Sequence, residues 1–169
     1  MVGMTAAIAN GGTRYKPIIL EAVKTPDGHI LHQNEPQVIG KVPVSQRTLE
    51  LLKNGLWAVV NSDQGTARGS RLEDIEISGK TGTSQVINRK KDDTRSEEER
   101  PAHLRAHAWF VAYAPSDNPV IAVAVLIEHG EHGSGAAAPV ARELIKTYLR
   151  KPLGADRVAR DGADKDNSG

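Results

Sequence analysis

The chain has 169 residues, and its 22 Lys and Arg stand against 21 Asp and Glu for a net charge of +1. That length supports one domain with a real core, and that balance gives no electrostatic footprint for nucleic acid or an anionic membrane. The lack of Cys excludes disulfides and thiolate metal sites or nucleophiles, and an aromatic content of 4% argues against stacking platforms for single-stranded nucleic acid.

Met1 to Ala9 is apolar and Ala-rich and stops at Asn10-Gly11-Gly12, which predicts a helix closed by residues that accept left-handed angles. No capping residue precedes it, as though the chain begins inside an element. Ile18-Ile19-Leu20 and Val23 lead into Thr25-Pro26-Asp27-Gly28, and His29-Ile30-Leu31 follow, which predicts a hairpin around a Pro-Asp-Gly turn. Ser45 caps a second helix. Val44 and Leu49 stand at hydrophobic-staple spacing, and Leu49, Leu52, Leu56 and Val59 continue the apolar face.

Ile75-Glu76-Ile77-Ser78 alternates and runs into Gly79-Lys80-Thr81-Gly82-Thr83, a strand that turns polar at its end. Arg89 to Arg105 holds 11 charged residues among 17, of both signs, and reads as a solvated, exposed segment. Ala106 to Ala114 and Val120 to Glu128 are apolar strands joined by Pro115-Ser116-Asp117-Asn118-Pro119. So short a link predicts an antiparallel hairpin, and such continuous apolarity predicts strands covered on both faces. Ser134 to Arg150 reads as a closing helix with Pro139 in its first turns and Val140, Leu144 and Tyr148 on one side. Beyond Lys151, Leu153 and Val158 are the only sizeable apolar residues, so residues 151–169 are expected to be a polar, disordered tail. The longest apolar run, Val120 to Ile127, is far short of the roughly 20 residues that span a bilayer. Met1-Val2-Gly3-Met4 lacks the basic lead of a signal peptide, so the chain reads as a soluble globular piece. The order of elements predicts an α+β fold, an antiparallel sheet with helices on both faces.

The dense constellation is Ser78-Gly79-Lys80-Thr81-Gly82-Thr83-Ser84. A phosphate-cradling loop would need Gly, four residues, then Gly-Lys-Ser/Thr, but Asp74 stands where the first Gly should be, and its carboxylate would repel phosphate. A Lys-Thr-Gly strand of a penicillin-recognising serine acyltransferase accounts for each residue better. Lys at a strand end supplies positive potential for a substrate carboxylate, and a neighbouring hydroxyl can bond it. Gly lets a substrate backbone lie against the strand edge, and the next amide can point at a developing oxyanion.

The flanks strengthen that reading. Ala6-Ala7-Ile8-Ala9-Asn10-Gly11-Gly12-Thr13 with Lys16-Pro17, Gly65-Thr66-Ala67, the Ser78 to Val86 strand and His107-Ala108-Trp109-Phe110-Val111-Ala112-Tyr113-Ala114-Pro115 together resemble the class B penicillin-binding proteins. Glu128-His129-Gly130-Glu131-His132-Gly133 before Ala136-Ala137-Ala138-Pro139-Val140 is most similar to their elongation-specific, penicillin-binding protein 2 branch. The resemblance covers about residues 1–150 and implies the C-terminal portion of a transpeptidase domain of the penicillin-binding and serine β-lactamase-like fold, truncated at its N-terminal side. It implies that Lys80, Thr81, Gly82 and Thr83 line one wall of a cleft. Lys80 would supply the electrostatics, Thr81 and Thr83 would take the terminal carboxylate, and the amide of Thr83 would be an oxyanion donor. The substrate implied is a peptidoglycan stem peptide ending in D-Ala-D-Ala, with β-lactams as mimics.

The family also needs a Ser with Lys three residues later, and no serine here has one. Thr13-Arg14-Tyr15-Lys16 has the spacing but the wrong nucleophile. Ser116-Asp117-Asn118 spells the second motif but follows Lys80 and sits in a Pro-flanked turn, where Asp and Asn are ordinary turn residues. The chain is therefore expected to hold no catalytic nucleophile and to be inactive alone. His103 with His107 and His129 with His132 could each pair on a helix to hold a metal, but they fall at a strand start and among glycines, so surface or loop histidines are expected. No metal or cofactor is implied. The resemblance implies as partners the stem peptides, β-lactams, the absent N-terminal part of the domain and cell-elongation membrane proteins, with no nucleic acid. It also implies a place on the periplasmic face of a bacterial inner membrane for the intact protein. A non-catalytic binding or scaffold module of the same fold, or a β-lactam sensor or serine β-lactamase-like protein, is the alternative.

Overall fold

The computed structural model describes residues 1–87, 96 and 99–150. Helix α1 spans Val2–Ala9 and ends as its residues predict. Gly11 and Gly12 take φ values of 81° and 101°, and the Gly12 amide reaches back to the Ala7 carbonyl at 2.7 Å.

Residues 13–41 form two small antiparallel pairs. Strand β1 (Thr13–Tyr15) pairs with β4 (Val38–Lys41), and β2 (Ala22–Lys24) pairs with β3 (Ile30–Gln33) across a turn that Gly28 closes at φ 91°. The hairpin is where it was expected but shorter. Ile18-Ile19-Leu20 stays outside it, with Ile19 fully exposed, because β3 ends at Gln33 and Pro36 has no amide to continue the ladder.

Helix α2 (Gln46–Asn61) starts at Ser45, whose hydroxyl accepts the Thr48 amide at 3.2 Å. Its buried residues are Leu49, Val60 and Asn61, whereas Leu52, expected on the inner face, is exposed. The last turn meets the sheet: Asn61 Nδ2 donates to the Ile77 carbonyl at 2.9 Å, and Trp57 Nε1 donates to Glu76 at 3.0 Å. Backbone carbonyls already engaged explain why strand β5 runs over Ser78–Ser84 rather than from Ile75. The Ile77 carbonyl is taken by Asn61 and the Glu76 carbonyl by the Ser116 amide, so neither joins the ladder.

Strands β5, β6 (His107–Ala114) and β7 (Ile121–Ile127) form one antiparallel sheet in that order, with Ser78 opposite Tyr113 and Ala108 opposite Ile127. Period-two alternation splits β6 cleanly. Ala108, Phe110, Ala112 and Ala114 enter the core with Ile77, Val60 and Val125, while Trp109, Val111 and Tyr113 face α1. Helix α3 (Ala138–Arg150) follows a wide π-type turn at Gly133–Ala137 and closes the core with Ala138, Ala141 and Ile145, each fully buried. The α+β class with helices on both faces is thus observed.

Two expectations need correction here. The face α3 turns to the sheet is its alanine face. Val140, Leu144 and Tyr148 are exposed, and with Ile121 and Val123 they border an open groove of about 700 Å³. Strand β6 is covered on both faces, but β7 has no further strand beside it among the described residues and leaves Ala124 and Leu126 exposed.

Residues 89–95, 97 and 98 of the charged segment and the whole of 151–169 lie outside the described residues. Where the charged segment is described it departs from expectation at Arg100, which is only 4% exposed. The chain folds under itself there, through a short 3₁₀ turn at Ala102–Leu104, and Arg105 Nε donates to the Arg100 carbonyl at 3.1 Å.

Asp74 anchors the end of α3, its two carboxylate oxygens each 2.8 Å from Arg150 Nη2. The hydrogen bond from Arg150 holds the Asp74 carboxyl below its ordinary pKa. Because the folded-state value is lowered, the contribution to stability is present above the ordinary carboxylate pKa and lost as pH falls through the lowered one. The pair is solvent-exposed, so Asp74→Asn is expected to lower the melting temperature slightly at pH 7, and the difference should vanish once the pH falls below the lowered carboxyl pKa. An equal shift at both pH values would show that the carboxylate charge is not what matters.

Candidate functional site

The four residues singled out in sequence lie together on the outer half of β5. Ser78 and Gly79 are buried at its inner end, Thr81 and Gly82 are half-buried, and Lys80 and Thr83 are exposed. Alternation puts Lys80 and Gly82 on the face toward α1, and Thr81 and Thr83 on the other. The Lys80 ammonium curls over the edge to bond the Thr81 carbonyl at 2.9 Å and the Thr81 hydroxyl at 3.3 Å. The cation thereby sits against the hydroxyl expected to share its ligand. Lys80, Gly82 and Trp109 border a cavity of about 190 Å³ closed by Met4, Thr5 and Ile8 of α1.

At the inner end, Ser78 Oγ donates to Ser116 Oγ at 2.8 Å. Ser116-Asp117-Asn118 therefore packs at the opposite end of β5 from Thr83, in the turn between β6 and β7. Tyr113, cross-strand from Ser78, is buried, which pushes its phenol pKa up.

The histidines combine differently from their sequence spacing. His107 stacks obliquely with His129, ring centroids 4.9 Å apart, and its Nδ1 accepts the His129 amide at 3.0 Å. Neither i,i+4 nor i,i+3 neighbours pair, because His107 opens β6 and His129 lies in the loop after β7. No group of three His, Asp or Glu among the described residues could hold a metal ion. The same loop reaches the wall: Thr83 Oγ1 donates to the Glu131 carbonyl at 3.4 Å, and Arg105 pairs with the Glu131 carboxylate at 2.9 Å. Sequence reading passed over Glu131 and Arg105, which meet beside the outer end of β5. The one local signal was the Gly-rich spacing of Glu128 to Gly133.

A model of the penicillin-binding protein transpeptidase domain matches residues 1–146. The chain belongs to that family. Among its relatives is the peptidoglycan D,D-transpeptidase MrdA of Haemophilus influenzae, 32% identical over 152 residues that cover 88% of this chain and 23% of that protein. Penicillin-binding protein A of Mycobacterium tuberculosis, solved as a ceftriaxone acyl-enzyme complex, superposes with a TM-score of 0.68 at 28% identity, covering 88% of this chain and 31% of that one. Penicillin-binding protein 2 of Helicobacter pylori, solved in complex with MreC, superposes with a TM-score of 0.61 at 27% identity, covering 88% and 24%. The match is to the penicillin-binding protein 2 type, as the motifs imply, and the fold is that of a penicillin-binding transpeptidase domain. The chain spans about a quarter of the length of the curated relatives it matches.

Proposed function

We propose that this chain supplies the Lys-Thr-Gly wall, central strands and closing helix of a serine-type D,D-transpeptidase that cross-links peptidoglycan. Residues 1–150 are then the C-terminal portion of the transpeptidase domain. The observation that carries the reading is the family match over residues 1–146, with Lys80, Thr81, Gly82 and Thr83 consecutive on the outer half of β5 and the Lys80 ammonium reaching over to the Thr81 hydroxyl. In the intact protein a serine from outside this chain attacks the carbonyl of the D-Ala-D-Ala amide. The tetrahedral oxyanion collapses with release of the terminal D-Ala, and an amine of a neighbouring stem peptide takes the acyl group and frees the serine. Lys80 and the hydroxyls of Thr81 and Thr83 hold the terminal carboxylate, Gly82 leaves room for the peptide backbone, and the Thr83 amide donates to the oxyanion. β-Lactams are the mimics that share this wall.

No helix among the described residues is long and apolar enough to cross a membrane. The intact protein acts at the periplasmic face of the inner membrane. The Helicobacter pylori complex with MreC supports a cell-elongation membrane protein as a further partner.

Acylation requires an activated nucleophile with a base in reach. Ser78 donates to Ser116 and Thr83 to a backbone carbonyl, and the Thr81 hydroxyl accepts from the Lys80 ammonium, which is a donor there and not a base. The chain alone is therefore expected to take up no fluorescent penicillin covalently, whereas the full-length protein should take up one equivalent. Intact mass after denaturation reads both. An adduct on the isolated chain would mean that it carries a nucleophile of its own. No adduct on the full-length protein would favour a non-catalytic module of the same fold, and an adduct that turns over rapidly would favour a β-lactamase.

A further inference from the structure

The loop between β7 and α3 holds two non-glycine residues in the left-handed region, His129 at φ 57° and Glu131 at φ 61°. Such angles persist only where the surroundings over-determine them. Here the fixings are explicit. The His129 amide donates to His107 Nδ1 at 3.0 Å, and His129 Nδ1 lies 3.1 Å from the Arg105 carbonyl. The Glu131 amide donates to the Ala106 carbonyl at 2.9 Å, while its carboxylate meets Arg105 Nη1 at 2.9 Å. Thus the strained turn is latched at both residues to the segment that opens β6.

What the latch delivers is contact with the outer end of β5. The left-handed turn at Glu131 aims its carbonyl at Thr83 Oγ1, 3.4 Å away. Two residues on, Gly133 passes so close that a β-carbon there would lie 2.3 Å from the Trp109 carbonyl and 2.9 Å from the Gly82 carbonyl. The loop therefore buttresses Gly82 and Thr83, the last two of the four motif residues along β5. The 3.4 Å bond is long enough to be surrendered when a better acceptor arrives. A ligand carboxylate is such an acceptor, since charge-assisted bonds are the stronger ones.

We propose that Glu131 and Arg105, with His107, are positioning residues: they hold the β7–α3 loop in its left-handed turn and so set the place of Thr83 for ligand carboxylate and oxyanion. The inference rests on Lys80 to Thr83 being the ligand-binding wall. It assigns no charge chemistry to the Glu131 carboxylate itself, which acts through the backbone turn that it anchors.

Glycine adopts φ near 60° freely, and other residues do not. In the full-length protein, Glu131→Ala is expected to lower the second-order acylation constant for a fluorescent penicillin about tenfold, and Glu131→Gly to restore it to within about threefold of the parent. Thr83→Val is measured beside them and should lose about tenfold, the share of one hydrogen bond to a charged group. If the parent is not acylated, or Thr83→Val reacts at the parent rate, the wall reading fails and the inference falls with it. If Thr83→Val is slow while Glu131→Ala keeps the parent rate, the loop is merely structural and the inference alone is overturned. Equal losses in Glu131→Ala and Glu131→Gly would overturn it too, by showing that the side chain matters and the turn does not. Should Glu131→Ala melt below the assay temperature, Arg105→Gln takes its place with the same expected loss, and a parent-like rate there is again fatal.

Discussion

Lys80→Ala in the intact domain is expected to lower β-lactam acylation by about 10²–10³, the usual effect of removing a preorganised electrostatic group, while hardly changing the melting temperature. The two halves of that expectation have separate grounds. Lys80 is exposed, and among the described residues its ammonium bonds the carbonyl and hydroxyl of the next residue on its own strand. Truncation therefore empties no core site and leaves no buried partner unsatisfied, so stability has little to lose. The rate has much to lose, because the cation lies beside Thr81, where a ligand carboxylate would be received. Stopped-flow acylation with parallel thermal melts reads both quantities. A rate within about threefold of the parent would remove Lys80 from the site, and a large drop in melting temperature would make it structural.

The strand that carries the motif was legible because its residues are contiguous. Ser78 to Ser84 is one strand, so neighbours in sequence are neighbours in space, alternating between its two faces. The packing around it was less legible, for reasons that can be named. Apolar periodicity in α3 points to Val140, Leu144 and Tyr148, but the face that wins the sheet is Ala138, Ala141 and Ile145. Small side chains let the helix approach the alanine-rich β6 closely, and close approach gathers more dispersion contacts than bulk at a distance. Ile75 to Ile77 alternates like a strand, yet distant donors, Asn61 and the Ser116 amide, take the carbonyls the ladder would need. The histidines pair across 22 residues rather than within a helical turn, and no local pattern announces that. Likewise nothing in Glu131 itself predicts a left-handed angle, which the Arg105 ion pair and the bond to the Ala106 carbonyl hold in place.

The two glycines of the motif separate folding from binding most sharply. A β-carbon on Gly79 would stand 2.6 Å from Phe110 Cζ and 2.8 Å from the Val111 carbonyl. Neither neighbour can retreat: Phe110 is 1% exposed in the core, and the Val111 carbonyl belongs to the central strand. Gly79→Ala is therefore an overpacking change, expected to destabilise by about 1–3 kcal/mol. At Gly82 the nearest atom to such a carbon is Trp109 Cβ at 3.3 Å, which asks the neighbour to shift only a few tenths of an ångström. Gly82→Ala should then change stability by less than about 1 kcal/mol, and yet lower acylation more than Gly79→Ala does, because its methyl occupies the edge against which a ligand backbone lies. Urea unfolding and penicillin acylation of the two variants in the intact domain distinguish the roles. If Gly82→Ala proves the more destabilising of the pair and leaves acylation at the parent rate, the second glycine is there for packing and the strand edge is not the ligand's path.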